Sequence, residues 1–203
     1  LQLPDYLSDI VNIGIQQNGI ESGAPEVMSE TTYQRVGLLY PEAQAELGQY
    51  YDLVSPGSPE SEALASEFPK AAEEAVYALK PLDEAQNLAV EDLVSKPMVF
   101  IQSMRMIQED PDRAAQLLGD NFPIDPSLIA GGQDLMTLLS MMPEAQRAVL
   151  LEQVDEHLGS LEGTILHQLT VTAIGSEYTE LGADTARYQT NYILRVGAKM
   201  LGV

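Results

Sequence analysis

Two histidines, His157 and His167, are the only imidazole side chains in the chain, so they are the first candidates for acid–base catalysis or transition-metal binding. On one helix their spacing of ten residues would put them about 15 Å apart along the axis, too far to share an ion. Neither belongs to a Glu-x-x-His motif, because Val154 and Thr164 occupy the positions where glutamate is required. The spacing therefore predicts surface or capping histidines, with no metal and no cofactor.

Other catalytic chemistries lack their residues or their spacing. The chain contains no cysteine, which excludes disulfides, thiolate metal sites and cysteine nucleophiles. It contains neither a Gly-x-Ser-x-Gly nucleophile elbow nor a glycine-rich phosphate loop. Neighbouring carboxylates such as Glu73 and Glu74 are frequent, but adjacent side chains on a helix point about 100° apart and do not face each other. We therefore predict a protein that is not an enzyme.

The charge of the chain limits its partners. Its 203 residues include 31 acidic and 10 basic side chains, a formal net charge of -21. Such a surface repels nucleic-acid phosphates, so we expect no direct binding of nucleic acid. No apolar run approaches the roughly 20 residues that a transmembrane helix needs. The expected partners are another protein or further copies of the same chain.

Apolar residues at three- and four-residue steps predict helices along most of the chain. Residues 59–79 form one such stretch, and residues 83–108 form a second that Pro97 should kink or divide into two abutting helices. Residues 163–175 also alternate as a strand would, but the longer helical pattern favours a helix. Further helices are predicted at 5–17, about 31–39, 111–119, 133–142, 143–158, 160–181 and 184–201.

The tripeptide Glu-Ala-Gln occurs three times, beginning at Glu42, Glu84 and Glu144. Each copy follows a proline or an aspartate. Acidic residues are stabilised in the first turn of a helix, and alanine and glutamine are good helix formers. The two intervals, 42 and 60 residues, are unequal, which argues against a solenoid. The phrase therefore predicts three helix starts.

Together these patterns predict an all-α protein with an irregular N-terminal arm and a multi-helix bundle. The polar stretch "NGIESGAP" interrupts the arm, and the turn-rich stretch "LVSPGSPES" follows it. We accordingly place an arm or small helical subdomain at residues 1–55 and the bundle at residues 56–203.

The two ends are the candidate interaction segments. Residues 185–203 carry three basic side chains and no acidic one, which leaves -24 on the rest of the chain. This amphipathic segment suits a membrane surface or an acidic neighbour, but packing on its own acidic body is the favoured interpretation. A neighbouring copy of the same chain would suit the segment equally well by head-to-tail contact. The apolar N-terminus also needs a surface to cover it. The predicted interaction residues are Leu3, Tyr6, Leu7, Ile10, Arg187, Tyr188, Tyr192, Arg195 and Lys199.

The leading functional hypothesis is an acidic helical interaction or assembly protein, a subunit of a larger particle or complex. One alternative is an acidic mimic of nucleic acid that blocks a basic cleft, since residues 42–92 have a net charge of -10. Another is a small-ligand carrier or an enzyme with an apolar helical pocket. "LQLPDYLSDI" lacks the features of a signal peptide, and a start at Leu1 favours a processed chain that is secreted, periplasmic or particle-associated.

Overall fold

The computed structural model of the chain describes Ser8, residues 10–110 and residues 134–200. In chain order the described elements are a π-helix (Ile10–Gln16), β1 (Val27–Ser29), α1 (Glu30–Leu39), α2 (Pro41–Leu47), β2 (Tyr51–Val54), α3 (Pro59–Leu64), a 3-10 turn (Pro69–Ala72), β3 (Val76–Leu79), α4 (Glu84–Glu109), α5 (Leu135–Met141), α6 (Glu144–Gly159), α7 (Gly163–Glu180) and α8 (Thr185–Met200). Within these ranges, no helix combines the length and apolar composition of a membrane span.

The predicted helical class is confirmed in its main part, and a small sheet corrects it. Three short strands form an antiparallel sheet in the order β1-β3-β2. Val27 lies opposite Ala78, and Leu53 lies opposite Tyr77. The sheet thus joins segments from both sides of residue 55, and the division into an arm and a bundle stays a prediction.

The single helix predicted for residues 59–79 is wrong. Its sequence instead forms α3, a 3-10 turn and β3. The α-helix ends at Leu64 and turns follow, and at Phe68 the backbone leaves the helical region (φ -123°, ψ 78°) immediately before Pro69. A residue that precedes proline is disfavoured in the helical region, because the proline ring crowds its backbone. The end of the stretch, "VYAL", is rich in β-branched and aromatic residues and pairs with both other strands.

The three predicted helix starts are confirmed. Glu-Ala-Gln opens α4 and α6 and follows Pro41 at the start of α2. The α4 start is the most complete: the Asp83 carboxylate accepts a hydrogen bond from the Gln86 backbone amide at 2.8 Å, and the Gln86 side chain accepts one from the Asp83 amide at 3.0 Å. This reciprocal capping box satisfies two amides that would otherwise lack a partner.

One helix, α4, continues through Pro97, so the division into two abutting helices is wrong. A proline inside a helix costs about 3 kcal/mol or more. Here Pro97 itself is buried, and its neighbours Val94, Met98 and Ile101 belong to the core. Burial of apolar side chains of this size gains about 1.5–3 kcal/mol each, so packing on both sides of the proline outweighs the lost hydrogen bond.

The helical interpretation of residues 163–175 is confirmed by α7. This helix packs along α4, and two polar contacts tie the pair together. His167 Nδ1 lies 2.5 Å from Glu91 Oε1 near one end, and Arg105 lies 3.6 Å from Glu177 toward the other. Since both residue numbers rise together along the pair, α4 and α7 run parallel.

The remaining predicted helices have mixed outcomes. Those at about 31–39, 133–142, 143–158 and 184–201 are confirmed by α1, α5, α6 and α8. The helix at 5–17 is described only in part, and its described part is a π-helix over Ile10–Gln16 instead of an α-helix. The helix at 111–119 lies outside the described residues.

Candidate interaction surface

The C-terminal helix α8 is positioned by the turn that leads into it. Gly182 has a positive φ of 85°, which reverses the chain after α7. Asp184 Oδ1 then accepts hydrogen bonds from the backbone amides of Ala186 and Arg187 at 3.0 and 3.2 Å. A carboxylate in this place satisfies first-turn amides and suits the positive end of the helix. The direction of α8 is therefore fixed by local sequence.

The inner face of α8 packs on the body through aromatic rings. The Tyr188 ring lies 5.4 Å from the Tyr178 ring and 6.4 Å from the Phe68 ring, measured between centroids. Tyr178 is buried, and its hydroxyl accepts a hydrogen bond from the Glu26 backbone amide at 2.7 Å. Aromatic contacts of this kind contribute about 0.5–1.5 kcal/mol beyond their buried area. They join α8 to α7 and to Phe68 before the 3-10 turn, and the Tyr178 hydroxyl joins α7 to the segment before β1.

The N-terminal π-helix closes over the same inner face, and two glycines permit the approach. A Cβ atom added at Gly14 would lie 2.9 Å from Ile193 Cγ1. One added at Gly19 would lie 2.9 Å from Tyr192 Cβ and 3.1 Å from Gln189 Cα. Real Cβ atoms do not approach so closely, so both positions need glycine. Tyr192 is buried by this contact.

The Tyr188 hydroxyl also approaches the Glu26 carboxyl across this interface. Although Glu26 keeps an exposed edge, burial raises the pKa of its carboxyl above the usual value. The Tyr188 hydroxyl and the Arg195 charge act in the opposite direction and favour the carboxylate. Burial, with the nearby Glu26 charge as a second cause, also raises the pKa of Tyr188. The phenol therefore stays protonated and keeps its O–H available as a donor toward Glu26.

The outward face of α8 is basic and apolar. The outward face of α8 consists of five exposed residues at helical spacing: Arg187, Asn191, Leu194, Arg195 and Ala198. Leu194 is 65% exposed. The Arg195 guanidinium lies 5.6 Å above the Tyr192 ring, and among the residues that the structure describes neither arginine forms an ion pair with a carboxylate. Among the other described cations, Arg35, Lys80, Lys96 and Arg105 each have a carboxylate partner, whereas Lys70 and Arg147 have none.

A groove beside α8 carries the opposite charge. The acidic groove has a volume of about 530 Å³, and it is lined by carboxylates and by apolar or aromatic side chains, among them Glu21, Glu26, Leu79, Glu84, Leu88, Glu91, Tyr178 and Tyr188. A smaller depression of about 310 Å³ lies next to it, and Glu26 and Tyr188 line both. That depression also includes Leu194 and Arg195. The acidic groove and the outward face are thus neighbours that meet at Tyr188.

The two histidines lie on different helices and have different surroundings. His167 bonds to Glu91 at 2.5 Å through Nδ1, and no described hydroxyl is hydrogen-bonded to its other nitrogen. His157 lies in the last turn of α6. In the described part of the chain, no three His, Cys, Asp or Glu residues converge in a way that could hold a metal ion.

The structure gathers only part of the predicted interaction set. Tyr188 and Tyr192 lie on the inner face of α8, and Arg187 and Arg195 lie on its outward face. Ile10 is half-buried in the π-helix, and Lys199 belongs to α8 but its side chain lies outside the described set. Leu3, Tyr6 and Leu7 lie outside the described residues. A role for these residues between chains stays a prediction.

Sequence reasoning missed Leu194 and the acidic groove. The apolar residues Tyr188, Tyr192 and Val196 recur every four residues, and Leu194 does not belong to this series. Its position off the apolar stripe could have indicated an exposed leucine. The groove had no comparable signal, because its carboxylates come from two segments, around Glu21 and Glu84, that are distant in sequence.

No protein-family model matches the chain, and neither the curated proteins nor the solved structures include one that is significantly similar to it.

Proposed function

We propose that the chain is a non-enzymatic interaction protein that assembles with other protein chains through the outward face of α8. The proposal is supported by two arginines on this face that lack a carboxylate partner among the described residues. Within the described residues Arg187 and Arg195 form no ion pair, although the chain has 31 acidic and only 10 basic residues. Lys70 and Arg147 form none either, but Arg187 and Arg195 lie on one exposed face of one helix together with Leu194. Between them, Leu194 is 65% exposed.

Physical reasons make such a face a binding surface. Interfaces are enriched in arginine, whose planar guanidinium is weakly hydrated and binds carboxylates in a forked geometry. An exposed leucine gains about 25 cal/mol for each Å² of apolar area that a partner removes from water. The aromatic contacts on the inner face hold α8 in place, so little order has to be gained when a partner docks. An acidic partner surface is the complementary chemistry.

A matched pair of substitutions tests the proposal. Leu194→Asp should disrupt assembly, because it places a carboxylate at the centre of the proposed contact. Leu53→Asp is the control, since Leu53 on β2 is 54% exposed and the change in net charge is the same. The protein is purified under native conditions from the cells that make it, and its mass is measured by light scattering. We expect the parent and Leu53→Asp to give masses above the 22.1 kDa mass of one chain.

Leu194→Asp should shift toward the chain mass in that experiment while it keeps the circular dichroism spectrum of the parent. Equal assembly of the two variants would contradict the proposed face. A parent that is isolated only at the mass of one chain would contradict assembly itself.

A further inference from the structure

Two complementary surfaces lie side by side on this molecule. The outward face of α8 carries two arginines and an exposed leucine, and the acidic groove carries four glutamates around apolar and tyrosine side chains. Tyr188 and Glu26 lie at the border between them. Neighbouring patches of opposite charge suit a two-fold dimer, because the contact of face with groove can then be made twice in one interface.

We propose that the chain pairs with a second copy of itself across a two-fold axis, so that the outward face of α8 of each copy lies on the acidic groove of the other. The inference rests on the proposed function and names the partner. The groove supplies acidic groups for Arg187 and Arg195 and apolar side chains, such as Leu88, for Leu194. Leu88 is itself an exposed leucine on α4.

Within the described part of one chain, the arginines of the outward face form no ion pair with the glutamates of the acidic groove. The inner face of α8 is held by Tyr188 and by the glycine contacts with Tyr192 and Ile193, so turning its outer residues toward the groove would break these contacts. Arg195 does act on Glu26, since its charge favours the carboxylate there. Within the described chain, however, Glu21 and Glu84 take part in no ion pair. They are the acidic groups that a second copy would neutralise.

The net charge of -21 sets the conditions for this pairing. Two such chains repel each other at long range, but at physiological ionic strength this repulsion is screened beyond about 8 Å. Contacts between a guanidinium and a carboxylate across a closed interface are shorter and are screened much less. The pairing should therefore be measured near 0.15 M salt instead of at low ionic strength.

A charge-swap experiment on the purified full-length chain tests the proposal. The face variant carries Arg187→Glu and Arg195→Glu, and the groove variant carries Glu21→Arg and Glu84→Arg. Alone, each variant would place like charges opposite each other twice, and its dimer dissociation constant should rise at least about tenfold. A mixture of the two should form a heterodimer whose dissociation constant lies within about threefold of the parent value, because both contacts then join opposite charges.

Analytical ultracentrifugation of the parent, of each variant and of their equimolar mixture gives these constants. Glu84 lies in the first turn of α4, where a cation is unfavourable, so Glu21→Arg alone replaces the groove variant if the double change lowers the melting temperature. Recovery in the mixture supports the pairing.

A purified parent that is monomeric at every concentration would overturn the pairing. Dimers that the groove variant does not weaken, or a mixture that fails to recover, would overturn it as well. The proposed function would survive these results if Leu194→Asp still disrupts the assembly isolated from cells, so the two failures can be told apart.

Discussion

Replacing Glu177 with alanine should lower the free energy of unfolding by about 3–5 kcal/mol, the usual cost of breaking a buried ion pair. Glu177 on α7 is 1% exposed. Its carboxylate accepts hydrogen bonds from the Ser29 amide at 2.8 Å and the Thr32 hydroxyl at 2.7 Å, and it lies 3.6 Å from Arg105. Alanine would leave all three of these donors without their buried acceptor.

Glu180 provides the control, because it contacts the same arginine from the surface. Its carboxylate lies 3.0 Å from Arg105 Nε, and its side chain is 49% exposed. Glu180→Ala should therefore cost at most about 1 kcal/mol, as exposed ion pairs do. Urea denaturation of both variants, followed by circular dichroism, measures the difference. Equal losses for the two variants would show that burial of Glu177 does not decide its contribution.

The second large effect is expected from Gly19→Ala. Gly19 has a φ of 82°, and alanine in that region costs about 1–2 kcal/mol. Its Cβ would also lie 2.9 Å from Tyr192 Cβ and 3.1 Å from Gln189 Cα. Since Gln189 Cα is a backbone atom, α8 must shift to make room. Overpacking of this kind costs a further ~1–3 kcal/mol. The total loss of stability should be about 2–5 kcal/mol.

Gly57→Ala separates the two causes of that loss. Gly57 has a similar φ of 78°, but nothing lies within 4 Å of an added Cβ there. This variant should lose only the conformational part, about 1–2 kcal/mol. Hydrogen exchange should speed up across α8 in Gly19→Ala and not in Gly57→Ala. If both variants lose the same stability and α8 exchanges alike in both, the close contact between the N-terminal segment and α8 is wrong.

Local signals in the sequence predicted helix starts and helix faces. The first-turn chemistry of Glu-Ala-Gln after proline or aspartate identified three helix starts, because capping and the helix dipole act within one turn. The four-residue stripe through Tyr188 and Tyr192 likewise identified the inner face of α8. These features depend on neighbours in sequence, so a single sequence contains the information.

Features that depend on distant contacts were not predictable. The four residues of β3 become a strand because β1 and β2 flank them, and the same residues also fit a helical pattern. Gly14 and Gly19 give no sign in the sequence that α8 will pack on them. The buried role of Glu177 depends on Ser29, Thr32 and Arg105, which come from elements far away in the chain.

A spin label placed on the outward face of α8 tests whether this face is the contact surface between chains. The chain has no cysteine, so Asn191→Cys and the control Gln153→Cys on α6 each give one unique label at an exposed position. Electron paramagnetic resonance spectra are recorded for the assembled protein and for the dissociated chain. We predict that assembly broadens the spectrum of the label at position 191 and leaves the label at position 153 unchanged. A label at position 191 that stays as mobile in the assembly as in the dissociated chain would contradict the outward face of α8 as the contact surface.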